Sequence, residues 1–386
     1  MTPTLSRAGI VLAIGALVVS WSLSGSAHRT VISNFTFHQD VRPILAAKCG
    51  ACHGDGGVAG LPLLRFDEAR AAAWPIRQAL LTDRMPPWSA VAGDTPLKGS
   101  PALTAREMNI LMTWAAGGTP AGPVRDAAPL AAPVPWPLGL PDMVLPIPSS
   151  TAIDAGVMAA DREVVLPAES LRGKWIALVD LRPQDPATVR RAEVALRRAG
   201  QDRVIASWLP GEMPQRLEAG AGFRVPASAS LVVRLHYQRP PAAGRAAIAN
   251  GGELGIYLSG EAVRRDVRAI DLEHSGTFDG GLAFTREFAT GTTLVALRLV
   301  SGPADATTAL TVIAPDGRRS PLLQMTIRPE WPRRYVFARP VRLAPGSRIE
   351  TRVTAAQTSL WASLLGGPEF AHSPAFSVSF AIETID

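Results

Sequence analysis

The sequence predicts a multidomain protein in which an all-α N-terminal unit is followed by an all-β region. Three observations carry that expectation. From about Asn34 to Gly122 apolar residues recur at helical spacing, and from about Asp142 short β-branched or alternating runs take over. A Pro/Ala-rich stretch without periodicity, Thr119–Pro141, lies between the two textures and reads as a semi-rigid spacer. With 34 glycines and 34 prolines in 386 residues the chain is rich in loops and long enough for two or three domains.

At the N-terminus, Arg7 precedes the apolar run Ala8–Leu23, and "GSAHR" offers a small-residue cleavage point after Ala27. The run is short for a bilayer span. Residues 1–27 are expected to be a signal peptide or N-terminal anchor, which places the remainder in the periplasm, with membrane association if the segment is retained. The formal charge of +6 is carried almost wholly by arginine, without a basic run interleaved with aromatics. Nucleic acid is therefore not an expected partner, whereas an acidic protein or the membrane surface is.

The first helical stretch, "DVRPILAAKCGACH", has Asp40 as N-cap and Pro43 in the first turn, where a missing N–H costs least. "FDEARAAAWPIRQALL" is a second helix, bent at Pro75. "LTAREMNILMTWAAGG" is a third, with a Thr104/Glu107 capping box, a face of Met108, Leu111, Met112 and Ala115, and Gly117 as its stop. "KWIALVDLRP", "SLVVRLHYQ", "GELGIYLSG", "TLVALRLVSG", "ALTVIAPDG" and "AFSVSFAIET" read as strands between Pro, Gly and Asp turns. "ATVRRAEVALRRAG" suits a short helix, which keeps a mixed α+β second half as an alternative.

Both cysteines of the chain fall in "KCGACHGDGG". A zinc site needs more cysteines or closely spaced histidines than the chain offers around Cys49 and Cys52. A thioredoxin-like dithiol needs a preceding strand, and here a helix precedes. C-x-x-C-H fits haem attachment, with Cys49 and Cys52 bound covalently and His53 on the iron. "DRMPPW" suggests Met85 as the second axial ligand, in a loop stiffened by Pro86 and Pro87; thioether with imidazole suits electron transfer. Met108 and Met112 are rivals, and packing is an alternative role for all three.

"FTFHQDVRPILAAKCGACHGDGG", "LLRFDEARAAAWPIRQALLTDRMPPW" and "LTAREMNILMTWAAGGTP" together resemble the monohaem c-type cytochrome module of secreted bacterial proteins, over residues 34–120. The resemblance implies haem c on Cys49 and Cys52, with His53 and Met85 as axial ligands. The linker is set at 121–141. The rest resembles the copper type II, ascorbate-dependent monooxygenases of the peptidylglycine-hydroxylase group, through "GLPDMVLPIP", "RVIASWLPG", "FRVPASASLVVRLHYQ" and "VIAPDGR". That likeness implies paired, jelly-roll-like β-sandwiches at 142–242 and 250–386, in a degenerate form. Arg190 and Arg191 stand where the family places a His-His pair, Val300 and Gly302 where it places His-x-His, and only His236 matches a ligand. Copper is not expected.

The expected function is that of a periplasmic c-type cytochrome carrying single electrons through one covalent haem. The sandwiches serve as a metal-free docking scaffold, and the chain is an electron carrier, not an enzyme. The expected partners are redox donor and acceptor proteins, within a larger, membrane-associated redox complex. A haem-linked copper-dependent monooxygenase is the runner-up, and a haem sensor with an open sixth position the third reading.

Overall fold

The computed structural model describes residues 32–55, 57–124, 135–149, 153, 156–217, 220–239, 250–260, 265–277, 281–354 and 375–385. The 1–27 segment, residues 125–134 of the spacer and His372 lie outside the described residues.

A π-type turn, Phe37–Val41, opens the helical segment. It continues through α1 (Arg42–Lys48), α2 (Gly50–His53), α3 (Phe66–Ala71), α4 (Ala73–Leu81) and α5 (Ala105–Ala116). Asp40 does not cap α1. It lies inside the π-type turn, and its Oδ2 accepts from Thr36 N at 2.8 Å, while Pro43 does fall in the first turn of α1. The interruption between α3 and α4 falls at Ala72, three residues before Pro75. α5 begins with the reciprocal Thr104/Glu107 capping box. The core of this segment is built on Phe37, Leu45, Leu111 and Trp114. Met108 and Met112 stay half-buried outside it.

The strands in chain order are β1 (Ala90–Ala92), β2 (Met143–Ile147), β3 (Ala159–Pro167), β4 (Trp175–Pro183), β5 (Val189–Arg198), β6 (Gln201–Trp208), β7 (Ala221–Arg224), β8 (Ser230–Gln238) and β9 (Gly252–Leu258). They continue with β10 (Arg265–Thr277), β11 (Gly281–Phe288), β12 (Thr292–Ser301), β13 (Thr307–Ile313), β14 (Arg319–Thr326), β15 (Arg334–Leu343), β16 (Ser347–Thr354) and β17 (Ala375–Ile385). An eight-stranded sheet, β15-β12-β17-β10-β7-β4-β9-β2, runs the length of the β region. Its two halves meet at a two-residue parallel contact, Ala221 and Gly222 against Arg265 and Asp266. The sheet β3-β8-β5-β6 shares one apolar core with the β2/β4/β7/β9 half, and the sheet β1-β14-β13-β16-β11 shares a second core with the β10/β12/β15/β17 half. Alternation explains the layering: on β8, Leu231, Val233, Leu235 and Tyr237 enter the first core, while Arg234 and His236 point the other way.

One alternative and one expectation from the sequence are corrected here. "ATVRRAEVALRRAG" forms β5 and not a helix, with Val194 and Leu196 in the core. The all-α cytochrome domain followed by all-β sandwiches is not what the chain forms. The protein is predominantly β, with multiple sheets and few, short helices. The helical residues do not close on themselves. After α4 the chain leaves them, pairs β1 against β14 (Ala90 opposite Met325), buries Trp88 in the second sandwich core, and only then returns to α5. The layered β region is compatible with sandwiches.

Asp180 on β4 is buried, with only Leu181 N donating to it among the described residues, and burial lifts its carboxyl from 3.8 to about 6. A folded-state value above the unfolded one favours the neutral acid. The associated stability is full below the unfolded value and is lost as pH rises through about 6. Asp180→Asn should remove this loss. In urea unfolding, wild type should lose on the order of 2 kcal/mol more than the variant between mildly acidic and mildly alkaline pH. Parallel pH profiles would contradict the assignment.

Candidate functional site: the CGACH turn

Cys49 ends α1, and α2 is a single turn in which the amides of Cys52 and His53 both bond the Cys49 carbonyl, at 3.1 and 2.8 Å. Three residues apart on that turn, the two thiols share one side. Both are free. Cys49 packs against the helical core, whereas Cys52 meets the β region: its Sγ donates to Pro210 O at 3.4 Å. The following loop folds back on the turn through Ala59 N to Cys52 O and Leu63 N to His53 O, at 3.1 and 2.9 Å. Gly57 is needed there, since a Cβ would stand 2.1 Å from Cys52 O.

His53 Nδ1 lies 2.8 Å from Leu61 O. A carbonyl only accepts, so Nδ1 carries the proton and the lone pair of the neutral ring sits on Nε2. Metal-ligating histidines are oriented by bonds of this kind.

Electrostatics at the turn come from both sandwiches. Arg190 donates to Val58 O at 3.2 Å from the start of β5. Arg333, just before β15, lies close enough to Cys52 to lower its pKa, as does Arg190, although burial outweighs both and pushes that thiol up. Burial also pushes Cys49 up to about 11, with Cys52 adding and Lys48 opposing. Thiols held in this way are poor thiolate nucleophiles, which disfavours dithiol exchange. The Nε atoms of Arg190 and Arg333 are buried without a hydrogen-bond partner.

Cys49, Cys52 and His53 are thus brought together. Met85 is half-buried and lines a separate cleft of about 280 Å³ with Asp83, Trp88, Asp305, Arg328 and Trp331; no residue of the CGACH turn lines that cleft. The residues read as vestigial copper positions divide. The register of β5 shifts between Val189 and Arg191, which leaves Arg190 as an extra residue aimed at the CGACH loop. Arg191 pairs in register with His236, and both line another cleft with Val300. Gly302 is absent from that lining and packs on Ile327 and Val378. His236 Nδ1 is 2.8 Å from Asp161, and His274 stacks on Phe284 at 5.4 Å. Pro210, Gly211, Arg190 and Arg333 were not legible as site residues, because each reaches the turn across a long sequence separation, 158 residues for Pro210.

No family model and no curated protein matches the chain. Among solved structures it is similar to the major capsid protein P2 of bacteriophage PM2, at 10% identity and TM-score 0.31, over 63% of this chain and 97% of that one. It is also similar to a Paenibacillus xanthan lyase, at 10% identity and TM-score 0.19, over 61% and 26% of the two chains. A third likeness is to the tandem CBM22-1-CBM22-2 domain of Paenibacillus barcinonensis Xyn10C, at 10% identity and TM-score 0.16, over 63% and 98%. The resemblance to a c-type cytochrome module fused to a degenerate copper monooxygenase is not upheld. Among the described residues the β-rich fold contains no self-contained helical module. Among the described residues no group of three or more His, Cys, Asp or Glu is placed to hold a metal ion. The cytochrome and metal-binding descriptions that followed from the resemblance fall with it.

Gly211 has φ +71°, and a Cβ there would stand 2.7 Å from Cys52 Sγ and 3.0 Å from Ala51 Cβ. Gly211→Ala should prise the loop from the turn. Maleimide labelling of Cys52 in the cofactor-free native protein should then accelerate by about tenfold or more, as local opening becomes cheaper. An unchanged labelling rate would show that Gly211 does not cover the thiol.

Proposed function

We propose that the CGACH turn is a covalent haem attachment site and that the protein is a periplasmic one-electron carrier, not an enzyme. The observation that carries this reading is the His53–Leu61 bond, which leaves Nε2 as a donor beside two free thiols on the same turn. The residues of the turn fit the group: Cys49 and Cys52 would hold it through thioethers and His53 would supply one axial nitrogen. Met85, which lines a different cleft, is proposed as the second axial donor on the sequence alone. Haem, when bound, supplies a one-electron iron couple.

The chain's own groups shape that site. Leu61 fixes the imidazole's tautomer. Pro210 and Gly211 cover Cys52 and exclude water from that side. Arg190 and Arg333 place positive charge by the turn, which favours the more electron-rich state of a bound redox group. The sandwiches then act as a docking scaffold. Their arginines suit acidic redox partners in a membrane-associated complex, with the N-terminal segment directing export.

Protein matured with haem should keep its chromophore through acid–acetone extraction, and Cys49→Ala/Cys52→Ala should lose it. Extraction of all haem from wild type into the solvent would defeat the proposal. Met85→Ala should abolish the methionine–iron charge-transfer band while Met108→Ala and Met112→Ala retain it; loss of the band only in Met108→Ala or Met112→Ala would reassign the axial donor.

A further inference from the structure

A second site stands apart from the CGACH turn. A cleft of about 560 Å³ opens between the outward face of the β3-β8-β5-β6 sheet and the Leu299–Val300 end of β12, with Pro329 and Pro332 at its side. That volume is within the range of small-ligand sites, roughly 300–1,000 Å³.

Its charges are nearly all internally matched. Asp161 bonds His236, Glu163 bonds Arg234 and Arg197, and Glu193 bonds Arg234 and Arg298. Arg162 is held by Asn250 and by the Pro148 carbonyl instead of a carboxylate, at 2.7 and 2.6 Å to the two backbone oxygens, and Arg191 is the lining cation left with neither kind of close partner. Among the described residues it has no carboxylate partner, and its Nη1 makes only a long 3.5 Å contact with Pro329 O. The bulge at Arg190 turns Arg191 onto the cleft side of β5. Facing it is an apolar wall. Trp208 comes from the end of β6, and the two prolines frame the side. Val300 sits in a second register shift, between Leu299 and Ser301, which leaves it 46% exposed. One guanidinium without an anion, next to an aromatic and aliphatic wall, recognises a molecule with a charged head and a flat apolar body.

We propose that this cleft binds a small aromatic carboxylate, its carboxylate on Arg191 and its ring against Trp208, Val300, Pro329 and Pro332. The inference is independent of haem attachment, because none of the CGACH residues lines the cleft.

The test is calorimetric titration of the full protein with benzoate, and with benzamide as the neutral isostere. Saturable one-to-one benzoate binding is expected, with benzamide weaker by about tenfold or more, since a charge-assisted bond is roughly twice as strong as a neutral one. Arg191→Gln should weaken benzoate by a similar factor, and Val300→Trp, at an exposed position, should fill the apolar half and abolish binding. No saturable binding at millimolar benzoate would overturn the proposal. So would benzamide binding as tightly as benzoate, or benzoate affinity unchanged in a folded Arg191→Gln. If that variant does not fold, the benzoate–benzamide comparison on wild type still decides.

Discussion

Arg333 is the residue on which the joining of helices and sheets depends. It is buried, its guanidinium lies 5.3 Å from the Trp88 ring centroid, and its Nη1 pairs with Glu212 at 3.2 Å. It also lies within electrostatic reach of Cys52. One cation from the second sandwich thereby touches the loop leaving the helices and the first-sandwich loop that covers the thiol, and acts electrostatically on the thiol itself. Burial raises the Glu212 carboxyl, and Arg333 and Arg334 counter it. Truncating one member of such a pair leaves an uncompensated charge, at a typical cost of about 3–5 kcal/mol. Trp88 completes the joint: its Nε1 donates to Ala90 O at 2.7 Å, and its ring meets Tyr335 edge-on at 5.2 Å.

This joint explains how a β-rich protein presents a helical CGACH turn. Five short helices around one small core bury little surface by themselves. They gain a sheet edge through β1, and a cover over Cys52 from Pro210 and Gly211. The two consecutive arginines at the β5 bulge divide the same surface between two tasks. Arg190 serves the turn, and Arg191 faces the cleft beside His236. A single extra residue in a strand thus separates the proposed redox site from the proposed ligand site.

Local pattern made much of this legible in the sequence. The α5 capping box, the alternation on β8 and the apolar runs of β4, β12 and β17 are all visible in short windows. The grouping of Cys49, Cys52 and His53 was legible because one helical turn spans it. What failed was whatever depends on partners. The charged "VRRAEVALRR" has residues buried on both faces of β5, and the bulge breaks its alternation, so a short helix stays open as an alternative in the sequence. Helical periodicity over residues 34–120 says that helices form, not that they form a domain. Trp88, three residues beyond Met85, carries no local sign that it belongs to a core built on β10–β17. Arg333 is one arginine in "WPRRY", and only the folded chain brings it to Trp88, Glu212 and Cys52.

The central claim is that helices and sandwiches form one cooperative unit joined at Arg333 and Trp88. Native-state hydrogen exchange over a denaturant series tests it most directly. Amides of α5 and of the β12–β17 pair should merge onto one opening free energy with one denaturant dependence. Exchange of α5 through a separate opening of lower free energy and small denaturant dependence, with the sheets still protected, would contradict it.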